Sequence, residues 1–318
     1  MFLRLRRLDR LLTASFALAA LAVLLAPTEA HAWGPLAHLN FSAQALQQIS
    51  SAPPPVRLLL ADFAHEFLYG SLAADIVVGK NLARYVYHCH NWRVGFNLYR
   101  TASPGAEQAF SLGFLAHLAA DTVAHNFYVP YKTVGSFHRM RTGHAYWELR
   151  YDQRMDQSLV SLARRVCHRN FREHDDFLAR SLKGSSVIPF GMSRQLFGSL
   201  LASARSHNFQ RLSRIALAPD RKLALEDDLV AETNDLAVTA IVGLLREGES
   251  CAAARADATG TRNLRVANDL RRRLFARAGT RELSVADAHA IARETRASFR
   301  QAIHGRLDLP AAAARVAA

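Results

Sequence analysis

Residues 106–128 constrain this chain more than any other stretch. They are apolar and rich in alanine, their large hydrophobic side chains recur at helical spacing, and Pro130 stands just beyond as the expected stop. Within them His117, Asp121 and His125 follow at i, i+4 and i+8, so three polar side chains climb one helical face. Their neighbours Leu115, Leu118, Ala119, Ala120 and Val123 belong in a core. Burying three titratable groups unpaired is costly, so the stripe requires ion partners or a metal, unless it is a solvated face.

The rest of the chain also reads as helix. A helical pattern over 43–49 stops at Pro53-Pro54-Pro55 and resumes over 56–69, while Gly70 and Gly79 loosen the stretch around Asp75. Further helices are expected over 145–165, 220–245, 263–277 and 284–306, with Gly184-Ser185-Ser186 and residues 248–260 as loops. No β-branched alternation is long enough for a sheet. The expected fold is therefore all-α, a multi-helix bundle with a principal domain over 33–215. A helical C-terminal extension over 216–318 would pack on it.

The amino terminus has the pattern of a secretion signal over 1–32. A basic start (Arg4, Arg6, Arg7, Arg10) precedes an apolar run over 11–26, and Ala30-His31-Ala32 supplies the small residues that signal peptidase reads. Cleavage after Ala32 places Trp33 at the mature terminus with a free amine. Cleavage after Ala30 does not, and an uncleaved anchor is a third possibility. The expected location is secreted or periplasmic. Three cysteines remain in the mature chain (Cys89, Cys167, Cys251), too few for a disulfide framework and enough for one bridge at most.

A composition of 50% hydrophobic and 21% charged residues excludes a disordered or low-complexity chain. The formal charge of +13 favours anionic partners: membrane surfaces, phosphate esters or nucleic acid. The Arg271-Arg272-Arg273 run adds either a solvated helical face or a surface for such a partner.

Histidine is concentrated. Ten of the thirteen histidines after residue 32 fall between His38 and His174, as a metal site would require. His144 and Glu148 sit one helical turn apart, a chelating spacing that also occurs as a plain surface pair. His88 and His90 flank Cys89, which is read as incidental, and Asp75 is a lone carboxylate among apolar residues.

The ordered set Trp33, His38, Asp75, His88 or His90, His117, Asp121, His125, His144, Glu148 resembles the zinc-dependent phospholipase C family over about 33–151. That family is secreted, all-helical and carries three zinc ions. It is similar in turn to the single-strand-specific secreted nucleases of plants and fungi. The resemblance implies three Zn2+ sites. One takes Trp33 (through its amine and carbonyl), His38 and one oxygen of Asp121. The second takes Asp75, His90 or His88, His117 and the other oxygen of Asp121. The third takes His125, His144 and Glu148. Asp75 would also act as general base.

Two features depart from the family pattern. The family puts five residues between the bridging Asp and the next His, whereas Asp121 and His125 have three, which makes His138 a possible substitute. An acidic residue that helps hold choline in the best-known members is replaced by Gly34-Pro35-Leu36. The implied activity is a phospholipase C, cleaving a glycerophospholipid to diacylglycerol and a phosphorylated headgroup at a membrane surface. No protein partner is expected. Phe67, Tyr69, Phe127, Tyr128 and Tyr131 are candidate bilayer contacts, although core packing suits most of them. The alternatives are a nuclease or nucleotidase on the same centre, with Trp92 and Trp147 as stacking platforms, and a non-enzymatic metal-binding protein.

Overall fold

A computed structural model describes residues 33–76, 89–139, 143–156, 158–169, 171–182 and 225–317. These residues form helices and connecting turns, with no strand among them. In chain order the helices are α1 (Pro35–Gln47), α2 (Pro54–Asp62), α3 (Ala64–Ile76), α4 (Trp92–Thr101), α5 (Ala106–Val123), α6 (Val129–Gly135), α7 (His144–Asp152), α8 (Ser158–His168), α9 (Arg172–Ser181), α10 (Asp227–Glu247), α11 (Thr261–Gly279), α12 (Val285–Ala302) and α13 (Ala311–Ala317). The signal-like segment, Gly79, His88 and Gly184-Ser185-Ser186 lie outside the described residues.

Helix α5 is the centre. Residues 109–123 are all buried, and α3, α4 and α10 pack around it. The tightest crossing is α3 on α5. A Cβ built at Gly70 would overlap the carbonyl oxygen of Phe110, and one at Gly113 would overlap that of Phe67. Two glycines thus let backbone meet backbone, and side chains one and two turns further on are brought face to face. Gly70 does not loosen the chain, as the sequence suggested. It sits mid-helix, and Asp75 lies in the last turn of the same helix. The helix expected over 56–69 is divided at Phe63 between α2 and α3.

Pro130 is a second correction. It does not end the helix, because α5 passes through a π-helical turn, Ala124–Tyr128, into α6. Proline lacks an N–H and crowds the carbonyl four residues back. A π turn in which Val129 N–H reaches back to Ala124 O accommodates both effects without breaking the rod. The helix expected over 145–165 is likewise two, α7 and α8.

The C-terminal helices do not form a separate layer. Helices α11 and α12 pack on α6, α12 also packs on the π turn, and α10 packs on α1 and α5. One hydrophobic core runs from Trp33 to Val316. Cys89 and Cys251 are both buried. No helix among the described residues is long and apolar enough to cross a membrane.

Candidate metal centre

The α3–α5 crossing assembles the first cluster. His117 and Asp121 come from α5, Asp75 from the end of α3, His38 from α1, and His90 from the turn before α4. Asp121 faces them with both oxygens. Its Oδ1 is 3.3 Å from His38 Nε2, while its Oδ2 is 3.3 Å from His90 Nε2 and 3.2 Å from His117 Nε2. Asp75 closes the group, with Oδ1 3.5 Å from His90 Nε2 and Oδ2 4.0 Å from His38 Nε2. The imidazoles of His38 and His117 stack at 3.8 Å. Asp75, 15% exposed at its side chain, is the member of this cluster that water can reach most readily.

The second cluster joins the π turn to α7. Glu148 Oε1 lies 3.2 Å from His125 Nε2 and 2.7 Å from His144 Nε2. His125, not His138, therefore completes this group. His138 instead meets the rings of Phe137 and His289 edge-on, in the turn after α6.

These groups fit a metal. Both oxygens of Asp121, both ring nitrogens of His38 and Glu148 Oε2 are buried without a hydrogen bond of normal geometry. Buried polar atoms are nearly always satisfied, so these unsatisfied acceptors in each cluster are what a bound cation would satisfy. Outer contacts orient the rings the same way. Nδ1 of His117 lies 2.9 Å from the Ser71 carbonyl, and Nδ1 of His125 lies 2.6 Å from the Ala258 carbonyl. A carbonyl can only accept, so each Nδ1 carries the proton and each Nε2 presents its lone pair inward in the neutral ring. Cys89 is not a bystander either, since its Sγ contacts His90 Nδ1 at 3.1 Å. Among the described residues three groups have metal-ligand proximity: His38, Asp75 and His117; His90, His117 and Asp121; His125, His144 and Glu148. Imidazole and carboxylate without thiolate suit zinc in hydrolysis.

The electrostatics agree. Burial pushes the Asp121 carboxyl upward, but His117 and His125 outweigh it and hold the group well below its ordinary range. Burial would lower His125, yet Asp121 and Glu148 push it up to about 9. His38 is held below its ordinary value by burial and by His117.

Trp33 is fixed beside this centre. Its ring is 1% exposed, stacks on Tyr128 at 4.7 Å, and also meets Tyr151 and Phe41. Sequence reasoning missed Asp152, whose Oδ1 accepts from Ala37 N–H at 2.8 Å and so holds the first turn of α1, which bears His38. A signal was present, since His144, Glu148 and Asp152 repeat the i, i+4, i+8 stripe of α5. Asn126 and the Ala258 carbonyl gave no such signal.

Residues 37–184 match the family model described as zinc dependent phospholipase C. Trp33 precedes the match and α10–α13 follow it. No curated protein and no solved structure matches the chain.

Proposed function

Because residues 37–184 belong to the zinc-dependent phospholipase C family, which are hydrolases, we propose that this chain is a phosphodiester hydrolase cleaving a glycerophospholipid to diacylglycerol and a phosphorylated headgroup. The observation that carries this reading is Asp121, buried on α5, with its two oxygens turned to different histidines and without a hydrogen-bond donor of normal geometry. Asp121 with Trp33 and His38 would hold one zinc ion, Asp121 with Asp75, His90 and His117 would hold a second, and His125, His144 and Glu148 would hold a third.

When bound, zinc supplies positive charge that offsets the charge developing at phosphorus during in-line attack. The protein's part is orientation and proton transfer. Ser71 and Ala258 carbonyls fix two imidazoles, Asp152 fixes the α1 terminus, and Asp75 accepts the proton of the attacking water.

The substrate surface is an anionic lipid layer, and the protein reaches it as a secreted or periplasmic chain cleaved after Ala32. Exposed Arg262, Arg265, Arg272 and Arg273 on α11, with Phe275 45% exposed among them, support this docking. Arg271 does not take part, being buried against the Arg139 carbonyl. Phe67, Tyr69, Phe127 and Tyr128 are core residues, and Tyr131 packs against the core while partly exposed. The nucleic-acid alternative loses Trp147, which is 1% exposed, and Trp92 already stacks on Phe96 with its indole N–H bonded to the Ala256 carbonyl.

Vesicles of phosphatidylglycerol and phosphatidylcholine, and a single-stranded oligonucleotide, offered separately to the untagged protein, test the reading. Diacylglycerol release from vesicles that stops with a chelator and returns with zinc is expected. Cleavage of the oligonucleotide alone would move the assignment to a nuclease.

A further inference from the structure

Residues 256–263 lie beyond the family match, in the connection to α11 and its first turn, yet four contacts tie them to α4 and the π turn, one of them to His125 of the second cluster. Trp92 Nε1 donates to Ala256 O at 2.9 Å, and Asn126 Nδ2 donates to Asp257 O at 2.9 Å. His125 Nδ1 meets Ala258 O at 2.6 Å, and Asn263 Nδ2 donates to Asn126 Oδ1 at 2.7 Å. Asn126 and Asn263 are 3% and 7% exposed, so this amide pair is a buried link.

The segment holds its own shape. The Asp257 carboxylate accepts from the backbone N–H of Thr259 at 3.0 Å and of Thr261 at 3.3 Å, and from the Thr259 hydroxyl at 2.7 Å. Gly260 has φ +55°, and a Cβ there would overlap the carbonyl oxygen of His125. Only glycine allows the left-handed turn and this close approach together.

We infer that 256–263 is a positioning element of the third zinc site: the C-terminal region supplies, through the Ala258 carbonyl, the contact that orients His125 as an Nε2 ligand. Asn126, Asn263 and Gly260 clamp that carbonyl in place. This inference rests on the zinc reading above. It gives the helices after residue 225 a part in the centre. The ring is set from outside by a loop far along the chain. Outer contacts of this kind are worth about 10- to 100-fold in metal affinity.

The test compares full-length wild type with Gly260→Ala and Asn263→Ala, using Gly243→Ala as a control where an added Cβ meets nothing within 4 Å. Each protein is dialysed against graded zinc chelator and its zinc count read by native mass spectrometry, with helicity followed by circular dichroism. Expected is a wild type and control holding three zincs, and two clamp variants of unchanged helicity that release one zinc about 10- to 100-fold more readily. In cobalt-substituted protein the visible spectrum should change for one ion in three. Variants that hold all three zincs as tightly as wild type would overturn the inference. So would loss of all three together with helicity, which marks a general packing role. A wild type that binds fewer than three zincs overturns the zinc reading itself, a result distinct from variants that match a three-zinc wild type.

Discussion

The Trp33 indole donates to the carbonyl of Ala120 across 3.3 Å, which pins residue 33 beside the helical turn that carries Asp121. The side chain therefore anchors residue 33, and the proposed zinc site asks only for its amine and carbonyl.

Those two roles separate by experiment. Trp33→Phe removes the indole bond and part of the stack with Tyr128 and Tyr151, and should destabilise by about 1–3 kcal/mol while zinc content stays near wild type. A tag retained ahead of Trp33 should do the opposite, lowering zinc content and activity with little change in thermal midpoint. Thermal melts with zinc analysis on both proteins check this, and an active, fully loaded tagged protein would remove Trp33 from the ligand set.

The crossing of α3 and α5 sets the first cluster, so Gly113→Ala should affect both stability and metal. Forcing the backbones apart costs about 1–3 kcal/mol and moves Ser71 and Asp75 away from His117. A lower thermal midpoint together with easier zinc release is expected. A destabilised variant with unaltered zinc affinity would show that the crossing serves packing alone.

The all-helical fold was legible because it is written in short-range periodicity, and the same periodicity displays part of the candidate site. The i+4 stripes on α5 and α7 show His117, Asp121, His125, His144 and Glu148 directly. What escaped depends on tertiary geometry. Gly70 looks like a helix breaker until Gly113 is seen opposite it, and Pro130 looks like a stop until the π turn absorbs it. Asn126, Ala258 and Asn263 have no local pattern, since their meaning lies in contacts spanning more than 130 residues. The stripe puts His125 in the site and the family spacing leaves His138 as its substitute, so only the tertiary contact with Glu148 decides between them.

Asp121→Asn should release two zincs together, because its two oxygens face different histidines, whereas Glu148→Gln should weaken only the third. Native mass spectra of the two variants should show a loss of two ions and of one. Equal losses would contradict the bridging assignment.

The metal-free protein should carry a pH signature. His125 is raised to about 9 from an ordinary 6.5, burial being outweighed by Asp121 and Glu148. Its stabilising protonation is complete below about pH 6.5 and is lost as pH rises through about 9. Asp121 and Glu148 are shifted down, so their contribution holds above the ordinary carboxylate range and disappears in acid. Denaturant melts of chelator-treated protein should therefore fall in stability from neutral pH toward about 9. Zinc displaces the His125 proton, so its third-site affinity should rise over the same interval. A flat stability profile would contradict the charge arrangement of the second cluster.

The most direct measurement is the mass of the untagged protein expressed with its leader, native for metals and denatured for the N-terminus. Expected is a chain beginning at Trp33 with three zinc ions. A chain that begins elsewhere, or one purified without zinc and unable to take it up, would contradict the proposed site.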